Sequence, residues 1–209
     1  EALARAEAEP KPKAQRNFTD ADSRIMLSSD KAFIQAYSCQ AAVDADSQVI
    51  LVARVSQTAA DQGQLLPMVE HVTLAQGQVP DVVSADAGYW KESDIELLQA
   101  NDIEPLVAPK RVKHSEWRQL RAPRGPIPQQ LSCKERMLRK LSTKAGRAEY
   151  GKRKTSVEPV FGQIKQALGF RQFLLRGHRK AQGEWSLVCM ANNILKLMRS
   201  GWIPTAATS

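Results

Sequence analysis

The chain has 209 residues, 43% hydrophobic and 25% charged, with a net charge of +8, which suits a soluble globular protein with one sizeable core or one domain plus extensions. No window approaches the run of about 18 apolar residues that a transmembrane helix needs, and the N-terminus lacks the apolar core of a secretory signal. Cys39, Cys133 and Cys189 are scattered, with no CxxC pair, which argues against a disulfide framework and a zinc site and fits a reducing cytoplasm.

Residues 1–16 are Ala/Glu-rich and then read "EPKPKAQR", the pattern of a helix end followed by a flexible or extended linker. There is no initiator Met, so we expect the chain to start inside a longer reading frame. Ala36–Val43 and Gln48–Val55 are expected as two strands joined by the turn-forming "DADS". "VILVA" is nearly continuous in apolar residues, so the second strand is expected to be buried on both faces. Asp61–Gln76 spaces Leu65, Met68, Val69 and Val72 at helical intervals, with Gly77 as the stop. Asp81–Ala85 is expected as a third strand that breaks at Gly88. "KESDIELLQAND" is expected as a short helix capped by Ser93, with Ile95, Leu97 and Leu98 inward, and "EPLVAPKR" as a fourth strand. Strands alternating with helices in this order predict α/β layering around a mixed sheet.

After Pro109 the character changes. Residues 1–109 hold eight Lys/Arg against seventeen Asp/Glu, a net −9, whereas residues 110–209 hold twenty-two against five, a net +17. A half this basic attracts phosphate backbones and gains affinity by releasing counterions, so nucleic acid is the expected partner. The stretch from Lys110 to Gln130 is basic and Pro-rich and is expected to be irregular. Leu131–Tyr150, Val157–Leu168 and Glu184–Met198 are expected as helices. His71, His114 and His178 are isolated in sequence and are expected at the surface or in packing rather than as ligands.

Two acids stand out. Asp86, in "VVSADAGY", follows an apolar strand and would stand at its carboxyl end, where α/β sheets bind ligands; an Asp that merely caps or turns the chain would read the same. Glu158 is a lone acid among Lys152, Arg153, Lys154, Lys165, Arg171, Arg176 and Arg179. On a helix capped by Ser156, Val157, Phe161, Ile164 and Leu168 would form an inward stripe. Pro159 would be tolerated in the first turn, and Glu158 would profit from the helix dipole there. Lys165, seven residues on, would lie on nearly the same line of the helix. Taken alone, an ordinary first-turn Glu with a solvated Lys partner is the better explanation. Together, Asp86 and Glu158 could supply carboxylates to Mg²⁺ while the basic residues hold a phosphate backbone.

"YSCQAAVDADSQVILVARVSQTAADQGQLLPMVE", "VVSADAGYW" and "KRKTSVEPVFGQIK" resemble the catalytic domain of DDE-type bacterial insertion-sequence transposases, over about residues 17–200. The resemblance implies an RNase H-like fold, a mixed sheet with flanking helices that is incomplete at the N-terminus, plus a basic helical C-terminal part. It leaves residues 1–16 as a linker or upstream tail and 201–209 as a C-terminal tail. It implies an Asp, Asp, Glu set binding Mg²⁺ or Mn²⁺, with Asp86 the second Asp and Glu158 the Glu. The family's Tyr, basic residue, Glu and Lys signature falls on Tyr150, Arg153 or Lys154, Glu158 and Lys165, all expected at DNA except the metal-binding Glu. Arg153 lies five before Glu158 where four is expected, so Lys154 competes for that role. The first Asp is expected upstream of Glu1, with Asp20 or Asp22 as fallback and Asp44 less favoured because it sits in a turn.

The implied activity is metal-dependent cleavage of a phosphodiester at the element's ends and strand transfer to target DNA, by a cytoplasmic, nucleoid-associated protein that pairs as a homodimer on DNA. A truncated, inactive DNA-binding fragment of such a transposase is the alternative. A metal-dependent nuclease without strand transfer is a third.

Overall fold

A computed structural model of the protein describes residues 17–28, 30–110, 123, 125, 128 and 130–201. The expected linker at 1–16, His114, most of the Pro-rich stretch and the tail from 202 onward lie outside the described residues. Six strands form three two-stranded ladders. β1 (Arg24–Leu27) pairs antiparallel with β2 (Phe33–Ala36), β3 (Ser38–Val43) antiparallel with β4 (Ile50–Ser56), and β5 (Val82–Ala85) parallel with β6 (Glu104–Val107). The helices are α1 (Leu65–Gln76), α2 (Glu92–Ala100), α3 (Cys133–Ser142), α4 (Lys144–Gln166) and α5 (His178–Arg199). The alternation expected from the sequence is present as β4, α1, β5, α2, β6, and the architecture is mixed α/β. The described strands do not join into one sheet: β3 pairs only with β4, and β5 only with β6. The β1–β2 hairpin is an addition to the sequence reading.

Two apolar clusters hold the elements together. In the first, Leu65 and Val69 of α1 meet Ile95 and Leu98 of α2, Leu106 and Val107 of β6, and Met137 and Leu141 of α3. In the second, Ile50 and Val55 of β4 meet Val160 and Ile164 of α4 and Trp185 and Cys189 of α5. Trp185 is 1% exposed, donates its indole N–H to the Gln40 carbonyl at 3.0 Å, and stacks with Phe161 and Phe170.

α4 bridges both clusters: Tyr150 packs on the first and Ile164 lies in the second. It is one continuous helix of 23 residues capped by Thr143, not a helix starting at Ser156, so Glu158 is mid-helix and gains nothing from a first-turn dipole. Pro159 is tolerated because its missing N–H is replaced. The carbonyl it would have bonded, that of Thr155, accepts instead from Gln48 Nε2 at 2.7 Å. The buried stripe is Ser156, Val160 and Ile164, while Val157 and Phe161 are half-buried beside a cavity.

The helix expected over Leu131–Tyr150 is two helices. Thr143 is extended and caps α4 by accepting from the Gly146 N–H at 2.9 Å. Gly146 sits so close to α3 that a Cβ there would lie 2.1 Å from the Lys140 carbonyl oxygen. Elsewhere the boundaries move in detail. α1 starts at Leu65 and ends at Gly77, whose left-handed φ of 69° suits the expected stop. Ser93 lies inside α2 and does not cap it; Leu97 is outward while Ile95 and Leu98 are buried. α5 starts at His178, six residues before the expected Glu184, because Asp22 Oδ2 accepts from the His178 N–H at 2.9 Å and holds that first turn.

β4 is not buried on both faces, since Arg54 is exposed. α5 crosses its edge and satisfies its backbone with side chains. Asn193 bonds the N–H and carbonyl of Ile50 at 2.9 and 2.8 Å, and Gln182 bonds the Val55 N–H and Ala53 carbonyl at 2.8 and 2.9 Å. This closes an edge that would otherwise template further strands.

Gln48→Ala should destabilise the protein by about 1–2 kcal/mol, because the Thr155 carbonyl loses its donor. In a Pro159→Ala background the restored amide should reduce that cost, which urea denaturation of the two single variants and the double variant measures. Burial pushes the Cys39 and Cys189 thiols up to about 12. In the unfolded chain the same thiols ionise near their ordinary value of about 8.5. Their contribution is therefore complete below that value and should fall as pH rises from there towards 12. Stability measured from pH 8 to 11 should decline less steeply in a Cys39→Ala/Cys189→Ala variant than in the parent.

Candidate active site

A cavity of about 830 Å³ opens between the unpaired side of β3 and β5, with α4 along it. Both leading acids line it. Asp86 follows the last residue of β5 in extended conformation (φ −68°, ψ 161°) and begins a short 3₁₀ turn over Ala87–Tyr89. Its side chain makes no capping bond to that turn and is exposed to the cavity mouth, where it pairs with Arg153 of α4. Glu158 lies on α4 between Arg153 and Lys165, and all three line the same cavity. Residues 72 positions apart in sequence thus share one concave surface because α4 runs past the carboxyl end of β5.

Arg153 and Lys154 are distinguished by the structure. Arg153 is mostly buried, pairs with Asp86 and carries its guanidinium 5.0 Å from the centroid of the Tyr150 ring. Lys154 is exposed and does not line the cavity. Tyr150 is half-buried against the first core. Burial raises its phenol, with the Arg153 charge opposing and the Asp86 charge adding. Its ring therefore supports Arg153 from beneath.

The fallback acids lie elsewhere. Asp20 accepts the Tyr37 hydroxyl on both oxygens at 2.8 Å, and Asp22 holds the start of α5. Burial acts to raise the Asp20 carboxyl, but the bonds from Tyr37 and from backbone amides together hold it below its ordinary value. Neither residue lines the cavity. Asp44 does, but it is bound into its own turn by the Ser47 amide and hydroxyl.

Two further acids line this surface, Glu149, which pairs with Lys152 at 2.9 Å, and Asp61, passed over in the sequence. It lies between β4 and α1. The only signal for it was an acid in the loop just before an apolar helix, which is common. Glu92, Glu96 and Cys133 also come together, with ligand atoms within 4.8 Å of one another, but none of the three lines this cavity.

The donor set fits a hard divalent cation. Asp86 and Glu158 offer carboxylate oxygens on one surface, and Arg153 and Lys165 supply positive charge for a phosphate beside them. The acids stand in a more open arrangement than Glu92, Glu96 and Cys133: among the described residues, Asp61, Asp86 and Glu158 do not form a group with ligand atoms within 4.8 Å. No helix among the described residues is long and apolar enough to cross a membrane.

Comparison with known proteins gives one family. Residues 107–198 match the family model of the transposase DDE domain. That segment runs from the last residue of β6 nearly to the end of α5 and contains Tyr150, Arg153, Glu158 and Lys165, whereas Asp86 precedes it. No curated protein and no solved structure matches the chain. The similarity to the transposase DDE domain thus covers residues 107–198 and takes in the helix that carries the candidate site.

Proposed function

We propose that residues 17–200 are the larger, C-terminal part of an RNase H-like catalytic domain that cuts a phosphodiester at the ends of an insertion sequence and joins the freed 3′-OH to target DNA. The observation that carries this reading is the convergence of Asp86 and Glu158 on one cavity, flanked by Arg153 and Lys165, on a helix inside the transposase-matching segment. Asp86 and Glu158 would hold Mg²⁺ or Mn²⁺, which neutralises charge on the scissile phosphate and activates the attacking oxygen.

The remaining roles belong to the chain's own side chains. Arg153 is held by Tyr150 and faces the cavity, so its guanidinium can take a phosphate oxygen in place of the Asp86 carboxylate. Lys165 is exposed about two turns beyond Glu158 on α4 and would contact the backbone as a point charge. The excess of cations after residue 109 would steer and hold DNA, with Lys154 contributing outside the cavity. The element's two ends call for two catalytic units, so a homodimer on DNA is the proposed working form in the cytoplasm.

The first Asp is proposed to lie on a strand upstream of Glu1. Asp20 and Asp22 are committed to Tyr37 and α5, and the unpaired sides of β3 and β5 face one cavity with backbone groups an added strand could bond. The second reading, an inactive DNA-binding fragment, draws on the same features: the cations after residue 109 would still hold DNA, whereas a third carboxylate would have to come from Asp44, Asp61 or Glu149 among the described cavity acids.

In a chain extended through the upstream strand, Asp86→Asn and Glu158→Gln should each abolish Mg²⁺-dependent DNA cleavage. DNA affinity should stay similar or rise slightly, because a repulsive charge is lost. Full cleavage by the extended Glu158→Gln protein would sink the catalytic assignment. Mg²⁺-dependent cleavage by residues 1–209 alone would place all the acids within them.

Lys165→Ala should weaken DNA binding and lower the slope of log affinity against log salt by about one unit, the share of one neutralised phosphate. An unchanged slope in a salt titration would make Lys165 a solvated helix residue.

A further inference from the structure

Gly88 has no positive φ that would call for glycine. What crowds a side chain there is Asp61: a Cβ on Gly88 would lie 3.1 Å from Asp61 Oδ2, so that carboxylate would have to give way. The other carboxylate oxygen, Oδ1, accepts from Gln40 Nε2 at 2.9 Å. Gln40 is 2% exposed, and its Oε1 accepts the hydroxyl of Tyr89, the residue next to Gly88. Gln62, beside Asp61, adds a fourth contact by donating its Nε2 to the Trp90 carbonyl at 3.2 Å. The loop before α1 therefore grips the 86–90 segment at Gly88, Tyr89 and Trp90.

The grip matters because Asp86 has little else to fix it on its own side. Its side chain makes no bond to the turn it begins. That turn is closed by two backbone bonds, Tyr89 N–H to the Asp86 carbonyl at 3.0 Å and Trp90 N–H to the Ala87 carbonyl at 3.2 Å. Four-residue turns of this kind are marginal unless tertiary contacts hold them.

We infer that Asp61 is a positioning residue for Asp86: through Gln40 and Tyr89, and by its seat against Gly88, it locks the Asp86–Trp90 turn so that the Asp86 carboxylate faces the cavity. The link from Asp86 to metal rests on the function proposed above; the locking of the turn does not. Asp61 acts through the geometry of its hydrogen-bond acceptor, so Asn, which keeps an acceptor oxygen, should replace it. A metal ligand would not tolerate that loss of charge.

The test compares Asp61→Ala and Asp61→Asn with the parent by amide hydrogen exchange, read by NMR at Tyr89 and Trp90 and, as reference, at Ile164 in the second core. Asp61→Ala should speed exchange at Tyr89 and Trp90 roughly tenfold, the scale of one lost hydrogen bond to a charged group, and leave Ile164 unchanged. Asp61→Asn should stay within about twofold of the parent, since its oxygen still accepts from Gln40. Three outcomes would overturn the inference: no change at Tyr89 and Trp90 in Asp61→Ala, an equal rise at all three amides, or an Asp61→Asn protein as impaired as Asp61→Ala. Mn²⁺ titration of the same proteins, with Asp86→Asn as control, separates the two levels. Binding untouched by Asp86→Asn would end the metal reading of Asp86, while the exchange data would still decide whether Asp61 locks the turn.

Discussion

The arrangement depends on α4 running unbroken past Pro159. A proline in mid-helix costs a hydrogen bond and crowds the preceding turn, typically about 3 kcal/mol or more. Here the orphaned Thr155 carbonyl is satisfied by Gln48, from the turn between β3 and β4. Gln48 also accepts from Lys196 of α5 at 2.6 Å, so one side chain ties the middle of α4, the β3–β4 turn and the last turn of α5. With the helix continuous, Tyr150 anchors it in one core and Ile164 in the other, and the span between them carries Arg153 and Glu158. A break at Pro159 would separate Arg153 and Glu158 from Lys165 and from the Ile164 anchor, and dissolve the shared surface.

Charge on that surface is organised in opposition. Asp86 and Glu158 are exposed, and Arg153 and Lys165 of α4 line the same cavity. Arg153 is packed over Tyr150 and paired with Asp86, whereas Lys165 is exposed. An ion pair as exposed as this one contributes little to stability. Its value lies in keeping two opposite charges close to where a phosphate and a metal would each need one.

Among the described residues, few polar side chains are fully buried. Gln40 is nearly sealed from solvent and joins β3 to Asp61 and Tyr89 through its side chain and to Trp185 through its carbonyl. A buried amide of this kind must keep its partners, because each unpaired group would cost about 1–3 kcal/mol. The network therefore couples the second core to the Asp86 turn.

Sequence by itself determined the local features. Apolar alternation and helical spacing placed the core of β3, β4, α1, β5, α2 and β6 within a few residues, since those patterns follow from the periods of strand and helix. Asp86 after an apolar strand and Glu158 among cations were legible for the same reason, as were Lys165 and the basic half. The tertiary structure decided what depends on partners far along the chain. α4 passes through Pro159 because of Gln48, the α3–α4 corner closes because Gly146 meets Lys140, and α5 begins early because of Asp22. Asp20 and Asp22 lie away from the cavity, bonded to the Tyr37 hydroxyl and the His178 amide, and Asp61 lines it with Gln40 on one carboxylate oxygen. None of these contacts has a period or a spacing in the sequence. Each is a single side chain meeting a backbone or side-chain group that only the folded chain brings within reach.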